Sequence, residues 1–278
     1  MEQAKKKELQ KIATDIRLGV LKSVHAAASG HPGGSLSIAD IMAYLYFEEL
    51  NVRADEPNWA DRDRFVLSKG HTAPALYAAL ALKGFFDPAE LAKLRQVDSF
   101  LQGHPDMKGT PGVDMSTGSL GLGISTACGM ALAAKLDGKA HRVYTIVGDG
   151  ESQEGQVWEA AMFAAHYKLD NLCVIIDWNG LQIDGPVAEV MNPTPHDKKF
   201  EAFGFHVISV DAHDFEQLEK AFEEAKTVKG KPTAIIAKSV KGKGVSYMEN
   251  EVKWHGSATN EELYEQAVSE ITEAMKNI

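Results

Sequence analysis

Apolar residues early in the chain recur at helical spacing. Over residues about 4–28, Leu9, Ile12, Ile16, Val20 and Val24 fall on one face among charged positions, which predicts an amphipathic helix. The breaker Ser29-Gly30-His31-Pro32-Gly33-Gly34 ends it, and a second helix is expected over about 37–50, with Ser35 or Ser37 as its cap. Beyond this the pattern changes to short uninterrupted apolar runs: RFVLS at 64–68, VYTIV at 143–147, LCVIID at 172–177, a run at 205–210 and TAIIA at 233–237. Helical segments are expected between and after them, over about 72–83, 119–137, 156–168, 214–228 and 260–276. Strands that are apolar throughout, rather than alternately, are buried on both faces. Their alternation with helices predicts a doubly wound α/β fold, a mostly parallel sheet with helices on both faces. Residues 98–118, rich in Gly, Pro, Asp, Ser and Thr, read as a long functional loop. The segment 119–137 is crowded with Gly and Ala, and each helical glycine costs about 1 kcal/mol against alanine. Close packing against another element or subunit is the expected reason.

The 278 residues show no repeat or domain-scale linker, so one domain over 1–278 is expected. The formal net charge is −10 and the only basic runs are Lys5-Lys6-Lys7 and 238–243, which argues against a nucleic-acid partner. Cys128 and Cys173 sit in apolar surroundings without ligand spacing, so they read as buried small residues rather than a disulfide or metal pair. The first residues form a charged helical pattern without the apolar core of a secretory signal, and there is no apolar run of membrane-spanning length. No membrane partner and a cytoplasmic location are the expectations. An acidic chain that binds an anion must still bring positive charge to it, from a metal, a helix N-terminus or selected cations.

The stretch VYTIVGDGESQEG shows where. An apolar strand ends at Gly148-Asp149-Gly150 and a helix begins a few residues later. Ligands of open α/β sheets bind at the carboxyl ends of strands. Glycines there allow close approach and can take positive φ, and backbone N–H groups can face a phosphate. The next strand ends in Asp177-Trp178-Asn179-Gly180-Leu181. In a parallel sheet Asp149 and Asn179 then lie on one edge and can share a cation. Oxygen ligands with a backbone carbonyl and phosphate oxygens suit Mg²⁺ or Ca²⁺. A GDG triplet alone is more often a turn; followed by a helix, a strand and an Asn-bearing turn, it resembles a thiamine-diphosphate fingerprint.

GDGESQEGQVWEA and YKLDNLCVIIDWNGLQIDG, together with SGHPGGSLS, LSKGHTAPALYAAL, QGHPD, DMSTGSLGLGISTACGMALA and KSVKGKGVSYMENEVKWHGS, resemble the transketolase family. The motifs stand in family order over residues about 29–258. SGHPGG with a later WHGS favours transketolase over deoxyxylulose-phosphate synthase. The resemblance implies the diphosphate-side domain of the thiamine-diphosphate-binding fold. It assigns Asp149, Asn179 and the Leu181 carbonyl to Mg²⁺ (or Ca²⁺), and the Gly150 N–H to the diphosphate. It places Gly118, Ser119 and Leu120 against the aminopyrimidine, Leu181 and Ile183 by the thiazolium, and Glu154 in a network linking paired active sites. His71 and His255 would stand near the diphosphate or sugar hydroxyls. His31 and His104 would contact donor-sugar hydroxyls and move protons, work suited to an imidazole whose ordinary pKa is near neutrality. Lys69 and Lys241 would offset negative charge beside cofactor and substrate.

The implied reaction is transfer of a two-carbon ketol unit from a ketose phosphate to an aldose phosphate. The family's pyrimidine-binding domain, with the carboxylate that activates the aminopyrimidine, is expected to be missing. The expectation is therefore a split enzyme whose partner is a separate C-terminal subunit, assembled as α₂β₂, with sugar phosphates as substrates. Alternatives are a subunit of another thiamine-dependent enzyme, of deoxyxylulose-phosphate synthase or keto-acid type, and a non-catalytic cofactor-binding scaffold. The remaining histidines, His141, His166, His196, His206 and His213, are expected to be solvated or capping residues, and Trp158 and Trp254 packing residues.

Overall fold

The computed structural model describes residues 1–276 and 278. Helix α1 (Gln3–Ala26) buries Leu9, Ile16, Val20 and Val24, with Ile12 at the margin of that face. Two short helices follow, α2 (Pro32–Leu36) and α3 (Ala39–Tyr44), the latter running on as a π-helical turn over Leu45–Glu49. The helix expected over 37–50 is α3 with its π-helical turn, and α2 is an additional turn before it. Pro32 starts α2 inside the predicted breaker, as a proline suits a first helical turn. Neither serine caps a helix: Ser35 Oγ donates to His31 O at 2.7 Å, and Ser37 Oγ donates to Gly34 O at 3.0 Å and to Asp177 Oδ2 at 2.9 Å.

Next come β1 (Arg64–Leu67), α4 (Ala73–Lys83), α5 (Gly123–Leu136), β2 (Val143–Gly148), α6 (Gly155–His166) and β3 (Leu172–Trp178). A small hairpin of β4 (Leu181–Gln182) and β5 (Gly185–Pro186) leads into two helices that periodicity did not signal, α7 (Val187–Val190) and α8 (His196–Ala202). The chain closes with β6 (His206–Asp211), α9 (Phe215–Thr227), β7 (Thr233–Lys238) and α10 (Glu261–Met275). Helix α5 begins at Gly123, not 119, because 119–122 is a turn.

The five long strands pair in parallel in the order β1-β2-β3-β7-β6. Alternate side chains enter two separate cores. Phe65, Leu67, Tyr144, Ile146 and Ile175 pack with α1, α3, α4 and α9 on one face. Val66, Val143, Val147, Val174 and Ile176 pack with α5, α6 and α8 on the other. Burying both faces removes the polar alternation from the strands, at about 1.5–3 kcal/mol of hydrophobic stabilisation for each large side chain. Cys128 and Cys173 are free and buried in these cores. Trp158 packs on Phe200 and Phe203, and Trp254 on Tyr247. Among the described residues, no helix is long and apolar enough to cross a membrane.

Candidate cofactor and metal site

Strand register assembles the site. Gly148, the last residue of β2, pairs with Asp177 of β3, and the Asp149 N–H donates to the Asp177 carbonyl at 3.2 Å. Asp149 and Asn179 therefore leave the sheet side by side at its carboxyl edge. Asp149 is 2% exposed. Its Oδ1 accepts the Gly150 N–H at 2.8 Å and its Oδ2 the Gly180 N–H at 2.6 Å. Gly180 has a φ of 79°, so the left-handed turn that aims its N–H at the carboxylate calls for glycine. Gly150 does not use that freedom, having a φ of −63°. Space is its reason, since a Cβ there would stand 3.1 Å from Gln182 Cβ. The Gly150 N–H, which the resemblance assigns to the diphosphate, is turned to Asp149 here. Burial, with Asp177 close by, pushes the Asp149 carboxyl up to about 6 against these two backbone donors.

Asn179 donates through Nδ2 to Asp177 Oδ2 at 2.8 Å and accepts the Leu181 N–H on Oδ1 at 3.1 Å. The Leu181 carbonyl accepts Lys241 Nζ at 3.0 Å, and the same ammonium lies 2.9 Å from His255 Nδ1. Asp149, Asn179 and Leu181 thus bring a carboxylate, an amide oxygen and a carbonyl oxygen to one cavity of about 230 Å³. The set is all hard oxygen, and each atom keeps a second lone pair beyond its hydrogen bond. It fits Mg²⁺ or Ca²⁺ completed by phosphate oxygens and water, and offers nothing to a thiophilic metal.

Lys69, His71, Leu120, Glu154, Ile183 and His255 also line this cavity. Leu120 is 39% and Ile183 63% exposed, so its mouth carries apolar side chains that the chain itself leaves open. Four other expected residues stand beside the cavity without lining it. Gly118 and Ser119 face an adjoining depression, the His104 ring covers Gly118, and His31 sits behind His71 and His255. The His31, His71 and His255 ring centroids are 5.1–5.5 Å apart. Burial and nearby cations lower all of them: His31 to about 4, His255 to about 3, and His71 well below the ordinary value. Burial also lowers His104. These are neutral hydrogen-bonding groups in the chain as it stands, not imidazoles poised at neutrality as expected from an unperturbed ring.

Two buried acids supporting the site were not singled out in the sequence. Glu151 accepts Ser68 Oγ at 2.5 Å and the N–H groups of Gly121 and Gly148 at 2.9 Å each, tying the loop before α5 to the end of β2. Asp177 is fully buried and paired with Lys69 Nζ at 2.6 Å. The glutamate in GDGE and the aspartate ending an apolar strand were both visible as buried-acid signals. Two histidines read as solvated or capping residues are also built in. His196 is 2% exposed, with Nε2 3.0 Å from Ser152 Oγ, which in turn donates to the Asp149 carbonyl. His213 bridges Asp40 at 2.7 Å and the Val240 N–H at 3.0 Å. Both are held by helices or turns from other parts of the chain, which periodicity cannot place.

At adjacent strand ends of a parallel α/β sheet the chain thus presents a carboxylate, an amide and a carbonyl, an all-oxygen donor set of the kind that suits a divalent cation. Residues 8–272 match the family model described as transketolase, thiamine diphosphate binding domain, and the chain belongs to the transketolase family. It is 47% identical over 264 residues to the 6-deoxy-6-sulfo-D-fructose transketolase subunit SqwG of Clostridium sp. (strain MSTE9), covering 95% of this chain and 96% of that one. It is 41% identical to an apulose-4-phosphate transketolase subunit of Phocaeicola vulgatus, covering 94% and 93%. Human transketolase is 45% identical over 97% of this chain, which spans 43% of that longer protein. Among solved structures, transketolase from Campylobacter jejuni superposes with a TM-score of 0.90 at 38% identity, over 95% of this chain and 42% of that one.

Proposed function

We propose that this chain is the cofactor-clamping subunit of a split transketolase, which moves a two-carbon ketol unit from a ketose phosphate to an aldose phosphate. The observation that carries this reading is the convergence of Asp149, Asn179 Oδ1 and the Leu181 carbonyl on one cavity beside Lys241 and His255. The near end-to-end likeness to two proteins named as transketolase subunits supports the division into two polypeptides. Those relatives are named for a sulfonated ketose and a phosphorylated one, so an anionic ketose is the substrate class.

In this reading Asp149, Asn179 and Leu181 hold Mg²⁺ (or Ca²⁺), and that cation with Lys69 and Lys241 offsets a diphosphate. Thiamine diphosphate, when bound, supplies the nucleophilic carbon and the electron sink for cleavage of the ketose. Leu120 and Ile183 give the rings an apolar surface, with Gly118 and Ser119 beside the aminopyrimidine. The neutral rings of His31, His71 and His255 orient sugar hydroxyls and phosphate oxygens, and His104 hands a proton to or from the sugar. The partner, a C-terminal subunit bearing the pyrimidine-binding domain, supplies the carboxylate at the aminopyrimidine, and two chains of each kind form α₂β₂. Glu154, exposed beside Gly121, faces the interface between paired sites.

Reconstitution tests the reading. Mixed with its separately encoded partner, the chain is expected to convert xylulose 5-phosphate with ribose 5-phosphate, and alone to show little ketol transfer. The Asp149→Ala chain is expected to lose cation-dependent thiamine-diphosphate binding in calorimetry. Activity of the mixture only on pyruvate with glyceraldehyde 3-phosphate would sink the proposal.

A further inference from the structure

Asp177 is a fully buried carboxylate that the scheme above leaves without a task. Its side chain is 0% exposed, yet it lies two residues from Asn179 and touches four segments. Lys69 Nζ donates to Oδ2 at 2.6 Å, Ser37 Oγ at 2.9 Å and Asn179 Nδ2 at 2.8 Å, while Ser239 Oγ donates to Oδ1. Four donor groups, the Lys69 ammonium among them, thus converge on its two oxygens. A carboxylate paired with an ammonium and ringed by donors accepts and does not donate. A side-chain amide offers a donor end and an acceptor end, and only the donor end satisfies Asp177. On its other side, Asn179 Oδ1 accepts the Leu181 N–H, which fixes the same orientation independently.

We propose, on the reading that Asn179 is a cation ligand, that Asp177 is a positioning residue that locks the Asn179 amide with its oxygen toward the cation and its nitrogen away. Asp177 touches neither cation nor cofactor. It acts through Asn179, and its remaining donors hold it in place. The consequence is a specificity at position 179 opposite to simple electrostatics. A carboxylate there would normally strengthen a divalent site by its added charge. Here it would set an acceptor against an acceptor at about the 2.8 Å of the present contact, with the Asn179 donor gone. An amide at 177 would supply the donor that a carboxylate at 179 needs, so exchanging the two residues should restore the pair.

The test is calorimetric titration of thiamine diphosphate into the chain at fixed Mg²⁺, for the wild type, Asn179→Asp, Asp177→Asn and the double exchange. Losses of outer-shell partners typically weaken metal affinity about 10–100-fold. Each single substitution is expected to lose that much cation-dependent affinity, and the double exchange to regain most of what Asn179→Asp loses. Ser239→Ala removes a donor to Asp177 on the side away from Asn179. It is expected to lower thermal stability while changing affinity less than threefold; a loss equal to that of Asp177→Asn would reduce Asp177 to a structural hub. Asn179→Asp binding as tightly as wild type, or a double exchange no better than Asn179→Asp, overturns the proposal. Should Asp177→Asn fail to fold with Lys69 unpaired, the Asn179→Asp result decides alone. Wild-type binding that is independent of Mg²⁺ would overturn the cation reading itself and the proposal with it, whereas tight Asn179→Asp binding beside a metal-dependent wild type overturns only the proposal.

Discussion

Lys241 Nζ lies 3.0 Å from the carbonyl oxygen of Leu181, so an ammonium caps one of the three oxygens proposed to hold the metal. Burial and the neighbouring Lys69 lower its pKa to about 8, so it remains mostly protonated at neutrality. A buried cation at this point repels an incoming metal and attracts an incoming diphosphate. Lys241→Met is expected to bind Mg²⁺ alone about tenfold tighter and thiamine diphosphate, at saturating Mg²⁺, about tenfold weaker, each close to 1.4 kcal/mol. Competition titrations separate the two. A change of the same sign in both would show that Lys241 does not balance metal against phosphate.

The raised Asp149 carboxyl sets a pH dependence. The metal proposed to sit on Asp149 requires the carboxylate, and the folded chain holds its proton up to about 6 instead of 3.8. Cation-dependent cofactor affinity is therefore expected to be steady above pH 7 and to fall, approaching tenfold per unit, as pH drops below about 6. In the metal-free chain the sign is opposite. There the folded state binds this proton more tightly than the unfolded one, so its contribution to stability declines as pH rises from about 3.8 to 6. Calorimetry from pH 5 to 7.5 checks the first trend and urea unfolding the second. A flat affinity profile down to pH 5 would refute the assignment.

Glu151 is expected to matter for folding more than its charge suggests. Glu151→Ala strips the acceptor from the Gly121 and Gly148 N–H groups and from Ser68 Oγ inside the protein. Buried donors left unpaired cost about 1–3 kcal/mol each, so a loss of roughly 3–5 kcal/mol is expected by denaturant unfolding. A loss below 1 kcal/mol would mean that water replaces the carboxylate.

Two glycines of α5 separate internal packing from an open surface. At Gly123 a Cβ would stand 2.5 Å from Ser68 Cα, whereas at Gly129 it would meet nothing within 4 Å. Gly123→Ala is expected to destabilise by about 1–3 kcal/mol through overpacking. Gly129→Ala is expected to stabilise the isolated chain by up to about 1 kcal/mol. If α5 packs closely on a partner, Gly129→Ala also weakens assembly, read by sedimentation. Equal melting shifts of one sign in both variants would contradict the contrast.

Much of the molecule was written locally. Strand periodicity and continuous apolar runs determine a two-faced parallel sheet, because a strand buried on both sides has no polar position to show. The GDG turn and the DWNG turn lie at successive strand ends in the chain itself, so their neighbourhood follows from parallel pairing. Tertiary structure alone decided the rest. Lys69 reaches Asp177 across 108 residues, Ser68 reaches Glu151 across 83 and Lys241 reaches Leu181 across 60. No periodic pattern encodes such contacts. The neutral state of the histidine cluster is likewise a property of burial and of cations delivered from distant segments, and a histidine letter carries neither.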